Sequence, residues 1–276
     1  MHRTLTLSLA CFCGLSLTAT ACTFFSFAGD DLVLFGNSED HYDENAVAWY
    51  VPSTAEEYGC LFVGFSTGFA QGGMNSEGLA FDAAGIDSSP LNDHPELPTP
   101  DPMNFCEIVL RRCATIEEAV QLIGSYNLSY VGMAQFQFTD RTGASVVVAP
   151  GSDHEIAFVY PDSPFQVTTN TNTAVYPEAH KRCSRHRRTT LALQKVETGE
   201  SALSVETFET ILDSVASTSG PSETMYSNVF DLTHGIAYIY YRHNFERVAV
   251  LYIDELEADG EAVTYRIDER AVSSSE

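Results

Sequence analysis

The stretch Thr18-Ala19-Thr20-Ala21-Cys22-Thr23-Phe24-Phe25 puts a cysteine directly after a small-x-small sequence of the kind that ends an export signal. Met1-His2-Arg3 is a short positive segment, and Leu5 to Leu17 is an apolar run too short to span a bilayer as a helix. A cut after Ala21 makes Cys22 the first residue of the mature chain. Thiol and α-amine then share one residue, with ordinary pKa values of about 8.5 and about 7.7–8.0. The amine becomes a base for its own nucleophile near neutral pH, with no need of a histidine or a separate triad. An amide nitrogen is not a base, so removal of residues 1–21 is itself the activating step. Two other fates of Cys22 stay open. One is a lipid anchor on the new N-terminus, which blocks the amine and makes the chain a periplasmic or outer-surface lipoprotein acting as a non-enzymatic binding module, although Ala19 stands where a lipidation box usually has leucine. The other is a plain buried cysteine on a first strand.

Cys60, Cys106, Cys113 and Cys183 also lie beyond the leader, giving an odd total with Cys22, which suggests a reactive or modified thiol in an exported chain. Cys106 and Cys113 are too far apart along one helix, about 10 Å, to bridge each other. Only export favours a Cys60–Cys183 pair. The formal net charge of −24 argues against nucleic acid and anionic membrane surfaces as partners, and against a highly anionic substrate. His180-x-x-Cys183-x-x-His186 has some metal-like composition, but spacings of three spread the residues around a helix and no closing ligand is evident. Lys181, Arg182, Arg185, Arg187 and Arg188 crowd the same segment, so it reads as an exposed, salt-bridged helix, with an anion-binding face as the lesser alternative. No metal and no cofactor is expected. Asn127-Leu128-Ser129 is a glycosylation sequon, meaningful only in a eukaryotic host.

Short aromatic and β-branched runs that must position Cys22 follow at 22–28, 32–37, 46–51, 60–66 and 78–84. Ser88–Pro102, with five prolines, is a surface excursion. Residues 103–112 and 116–125 read as helices, the second with a Thr115/Glu118 capping box. Strands resume at 134–140, 144–150, 155–160 and 165–170. Helices follow at 178–197 and 204–216, then strands at 225–232, 236–242 and 248–253. Strands in hairpin runs with helices in blocks indicate an α+β fold: two mainly antiparallel sheets with helices outside, in one domain over 22–276 after a signal peptide at 1–21. No later stretch is long and apolar enough to be a membrane-spanning helix. A homo-oligomer is left open.

Cys22-Thr23-Phe24-Phe25, followed by Gly36-Asn37-Ser38-Glu39-Asp40 at the end of a second strand, resembles the opening of N-terminal-nucleophile (Ntn) hydrolases. It looks most like the group containing choloylglycine hydrolases, penicillin V acylases and isopenicillin-N acyltransferases. Gln71-Gly72-Gly73-Met74-Asn75-Ser76-Glu77-Gly78-Leu79-Ala80, Val167-Thr168-Thr169-Asn170 and Tyr226-Ser227-Asn228-Val229-Phe230-Asp231-Leu232 are similar to later motifs of that group, in the same order. The resemblance implies a four-layer αββα sandwich and an exported, secreted or periplasmic enzyme that cleaves a small-molecule N-acyl amide through a thioester, or transfers the acyl group. It implies that Cys22 attacks, that Asp40 holds the Cys22 amine, and that the Asn75 backbone N–H and the Asn170 side chain stabilise the oxyanion. Asn75 also suits a simple turn, Asp40 lies in an acidic stretch that reads mostly as a solvated loop, and Asn172 competes with Asn170 for the same role. The group often has arginine where this chain has Asn37, and no clear arginine stands in 201–224. Bile-salt specificity is therefore not expected, and without the cation the Cys22 thiol is expected to keep a pKa near 8.

Overall fold

The computed structural model describes residues 22–100, 105–219, 222–270 and 272–273. The expected leader, 1–21, lies outside them. Six strands come first: β1 (Thr23–Ala28), β2 (Val33–His41), β3 (Ala46–Val51), β4 (Cys60–Phe65), β5 (Ala70–Asn75) and β6 (Ala80–Gly85). Two helices follow, α1 (Phe105–Arg112) and α2 (Ile116–Ile123), and then a 3₁₀ turn at Ser129–Val131. The Thr115/Glu118 capping box is present, which satisfies donors at the start of α2 that the helix itself cannot.

Four more strands are β7 (Ala134–Thr139), β8 (Ser145–Pro150), β9 (Ile156–Val159) and β10 (Phe165–Thr168). Next come α3 (Pro177–Arg182), α4 (Ser184–Glu197) and α5 (Val205–Val215). The chain closes with β11 (Glu223–Asp231), β12 (Ile236–Tyr241), β13 (Arg247–Tyr252), α6 (Ile253–Asp259), β14 (Val263–Arg266), α7 (Ile267–Arg270) and β15 (Val272–Ser273).

The strands form two antiparallel sheets. One has seven strands in the order β10-β1-β2-β11-β12-β13-β15, the other eight in the order β14-β3-β4-β5-β6-β7-β8-β9. Three buried apolar layers follow from the alternation of side chains along each strand. Phe24, Val33, Phe35, Val63, Met74 and Phe230 fill the space between the sheets. Phe62, Phe81, Val109, Leu110, Ala119 and Ile123 join α1 and α2 to the outer face of the eight-stranded sheet. Phe25, Leu34, Leu193, Phe208, Leu212 and Val229 join α4 and α5 to the outer face of the seven-stranded sheet. Helix, sheet, sheet, helix is the expected αββα layering.

Three local expectations are corrected. The Gly-rich stretch at 71–75 is strand β5, and only the following residues turn, with Gly78 at φ +80°. Its glycines serve close packing: a Cβ on Gly73 would come within 2.6 Å of the Leu61 carbonyl oxygen. Strand β2 runs on to His41 through much of the acidic stretch read as a loop. The helix expected over 178–197 breaks at Cys183, and His180 is buried there rather than exposed.

Candidate active site

Strand β1 fixes where Cys22 points. Cys22 and Phe24 belong to the layer between the sheets, whereas Phe25 and Phe27 face α4 and α5. On β2, Val33 and Phe35 face inward and Leu34 outward, so Asn37 and Glu39 point to the same interior as Cys22. The ladder pairs Phe24 with Asn37 and Thr23 with Ser38, and one further step sets Cys22 opposite Glu39. On the other side β1 pairs Phe24 with Thr168, the last residue of β10. Strand β11 pairs Tyr226 with Glu39 and Asn228 with Asn37. Cys22, Glu39 and Tyr226 therefore form one row across β1, β2 and β11, and Asn170 stands two residues past the end of β10.

Asp40 lies one residue beyond Glu39 and points to the opposite face. It is completely buried. Its Oδ1 accepts a 2.5 Å hydrogen bond from Thr224 Oγ1, and its Oδ2 lies 3.7 Å from Arg185 Nη1. That Oδ2 has no hydrogen-bond partner. Burial raises the Asp40 pKa to about 6 against the opposing pull of Thr224 and Arg185. Arg185 Nη2 donates to Asn170 Oδ1 at 3.1 Å, and Asn170 Nδ2 donates to the Gly85 carbonyl at 3.0 Å. One guanidinium thus ties Asp40 to Asn170. Asn172 is separate: it caps the turn by accepting from the Ala174 and Val175 amides and donates to Pro150.

Asn75 is not brought to this group. Its backbone N–H donates to Leu79 O at 2.9 Å. Its side-chain Nδ2 donates to the Leu110 and Cys113 carbonyls, both at 2.7 Å, and its Oδ1 accepts from the Glu77 and Leu79 amides. Asn75 fastens the end of α1 to the β5–β6 hairpin, with neither its amide nor its side chain free for an oxyanion.

The electrostatics around Cys22 are acidic. Burial pushes its thiol well above its ordinary range. Glu39 adds to this, a hydrogen bond with the Asp40 backbone opposes it, and Asp82 and Asp40 add further. The direction agrees with the loss of a neighbouring cation, but the shift takes the thiol beyond the expected 8. Glu39 lies against the thiol and the Asn37 amide, and burial raises its own pKa to about 8. Asp82 on β6 is fully buried, and burial with the nearby Glu39 charge raises it as well.

Glu39, Asp82 and Arg185 escaped the sequence reading. For Glu39 a signal existed, the period-two run Val33, Phe35, Asn37, Glu39. Asp82 and Arg185 carried none, because their proximity is purely tertiary. Cys60, Cys106, Cys113 and Cys183 are free thiols. Among the described residues no group of His, Cys, Asp and Glu is arranged to hold a metal ion. An aromatic-lined cleft of 240 Å³ opens beside Gly85, walled by Phe69, Phe105, Tyr130, Met133 and Phe136.

Two antiparallel sheets between helical layers form a sandwich of the Ntn-hydrolase fold, with Cys22 at the entry to β1, the second strand of the seven-stranded sheet. Solved structures with this fold include two variants of conjugated bile acid hydrolase from Clostridium perfringens. They are 18% and 17% identical to this chain at TM-scores of 0.72 and 0.73, each alignment covering 92% of this chain and 99% and 100% of theirs. Penicillin V acylase from Agrobacterium tumefaciens is 17% identical at a TM-score of 0.68, covering 92% of this chain and 98% of its own. No protein-family model matches the sequence, and no curated protein matches it.

Proposed function

We propose that this protein is an exported amidohydrolase that uses Cys22, freed by removal of residues 1–21, to cleave a non-peptide linear amide. The observation that carries the reading is the position of Cys22 at the entry to β1, in hydrogen-bond contact with the Asp40 backbone, while Arg185 links the Asp40 carboxylate to Asn170. Asp40 Oδ2 has Arg185 nearby but accepts no hydrogen bond, and the neutral α-amine freed at Cys22 offers it an N–H donor while keeping its lone pair for the thiol proton. In this reading Asp40 holds the Cys22 amine. The amine takes the thiol proton as sulfur attacks the carbonyl carbon, then passes it to the departing nitrogen. The C–N bond breaks, a thioester remains, and water or an acceptor amine resolves it. Asn170 donates an amide hydrogen to the oxyanion, held in place by Arg185 and Gly85.

The test is expression of the full chain in an exporting host, intact-mass determination of the N-terminus, and a screen of N-acyl amides against the recovered protein. Support requires a free Cys22 amine and turnover that Cys22→Ala abolishes. A lipid on Cys22, or an N-terminus elsewhere, removes the base and refutes the reading.

A further inference from the structure

The interior beside Cys22 holds polar groups that the hydrolytic step above does not use. Glu39 shares the cross-strand row of Cys22 and Tyr226, Asn37 and Asn228 form the next row, and Asp82 acts on Cys22, Glu39 and Tyr226 from the facing sheet. Each of the five is buried: Asn37, Asp82 and Tyr226 are 0% exposed, Asn228 1% and Glu39 2%. Seven of their polar atoms lack a hydrogen-bond partner, namely both amide atoms of Asn37 and of Asn228, Glu39 Oε2, Asp82 Oδ2 and the Tyr226 hydroxyl. Native interiors leave few such groups unpaired, and a concentration of them in one place marks a site that a ligand or water completes.

The chemistry of the missing partner follows from the set. Two carboxyls and two amide oxygens can accept, the Asn37 and Asn228 amide nitrogens and the Tyr226 hydroxyl can donate, and among the described residues no lysine, arginine or histidine acts on Cys22, Glu39 or Asp82. Arg185 is on the opposite face of β2, with Asp40. Gly72 makes room for the Asp82 carboxyl, since a Cβ there would stand 2.3 Å from Asp82 Oδ2. Negative is the one charge these five side chains can carry, so a small cationic donor complements them and a carboxylate does not. A primary ammonium offers three N–H donors on a compact charge, one for each carboxyl and one for an amide oxygen.

Resting on the amidohydrolase reading, we propose that Glu39 and Asp82, with Asn37, Asn228 and Tyr226, bind a primary ammonium group of the substrate next to the scissile amide. The substrate class is thus an N-acyl compound bearing a free amine. An ammonium ionises carboxyls that are protonated while the cage is empty, so binding releases protons and tightens as pH rises from 6 to 8.

The experiment is calorimetric binding to the mature Cys22→Ala protein, which cannot turn substrate over. Four probes share an aromatic ring and an amide: N-(2-aminoethyl)phenylacetamide and phenylglycine propylamide, with the ammonium on the amine and acyl sides respectively; neutral N-propylphenylacetamide; and anionic phenylacetylglycine. At least one cationic probe should bind ten-fold or more tightly than the neutral one, the anion should bind least, and Glu39→Gln with Asp82→Asn should erase the cationic advantage. Equal binding of cationic and neutral probes, or binding of none, overturns the proposal, whether or not the double variant folds. Turnover of the neutral probe by the Cys22 protein without any cation preference leaves the amidohydrolase reading standing alone. Cation-selective binding with no turnover by the Cys22 protein removes that reading and leaves only an amine-binding site.

Discussion

Replacing Glu39 by glutamine tests whether the row across β1 and β2 exists as described. Directly paired residues on neighbouring strands lie about 5 Å apart at their Cβ atoms, and at an effective dielectric of about 20 an ionised Glu39 at that range costs a Cys22 thiolate about 3 kcal/mol, or about two pKa units. Glu39 loses its proton near pH 8 and the thiol higher still, so the thiol of the wild-type protein titrates against a charged neighbour. Glutamine keeps the shape and removes that charge. The Cys22 pKa should fall by one to two units, by about that same estimate. The assay is iodoacetamide alkylation of the mature protein against pH, with the Cys22 peptide quantified by mass.

A Cys183→Ser background is needed for that assay. Burial works against the Cys183 thiolate, but the His186 and Arg185 amides at the start of α4 and the Arg185 charge outweigh it and hold that thiol below its usual range. Cys60, Cys106 and Cys113 are all pushed up by burial and react slowly. An inflection that does not move, or that moves up, refutes the placement of Glu39 against the nucleophile.

Asn170→Ala removes the side-chain oxyanion donor, and kcat should fall by about 10²–10³-fold with KM little changed; a loss confined to KM contradicts the role. Arg185→Met takes away the cation at Asp40 and a hydrogen-bond donor to Asn170. The Asp40 pKa should then rise above about 6, which shifts the acid limb of the pH–rate profile upward, and kcat/KM should fall by about tenfold. Lysine at 185 should restore little, since one ammonium lacks the planar fork that meets both partners. Asp40, Glu39 and Asp82 all hold protons more tightly folded than unfolded. Their contribution to stability is complete below the ordinary carboxylate range and is lost as pH rises through about 6 for Asp40 and about 8 for Glu39. The urea midpoint should be higher at pH 5 than at pH 8.5, and Glu39→Gln should flatten the dependence; a midpoint that climbs with pH contradicts the burial of these groups as protonated acids.

Local order was legible without coordinates. The aromatic and β-branched runs at 22–28, 46–51 and 134–140 are strands, Thr115 and Glu118 cap a helix, and the blocks of strands and helices stack as four layers. Cys22 stood out by its neighbours alone, as a cysteine after a small-x-small sequence, and the structure sets it at the entry to β1. Alternation says that Asn37 and Glu39 share a face; it does not say which core that face meets. That is settled when β1, β2 and β11 pair in one register and turn Cys22, Glu39 and Tyr226 toward β6. Asn75 matched a motif by its neighbours, yet the register of β5 and the docking of α1 commit it to the outer layer. Arg185 read as one charge among five on an exposed helix, until the break at Cys183 and the packing of α4 brought it to Asp40 and Asn170. Contacts made over a few residues are written in the chain. Contacts between residues more than a hundred positions apart, such as Arg185 with Asp40, depend on how the layers close, and that is decided by packing the whole interior at once.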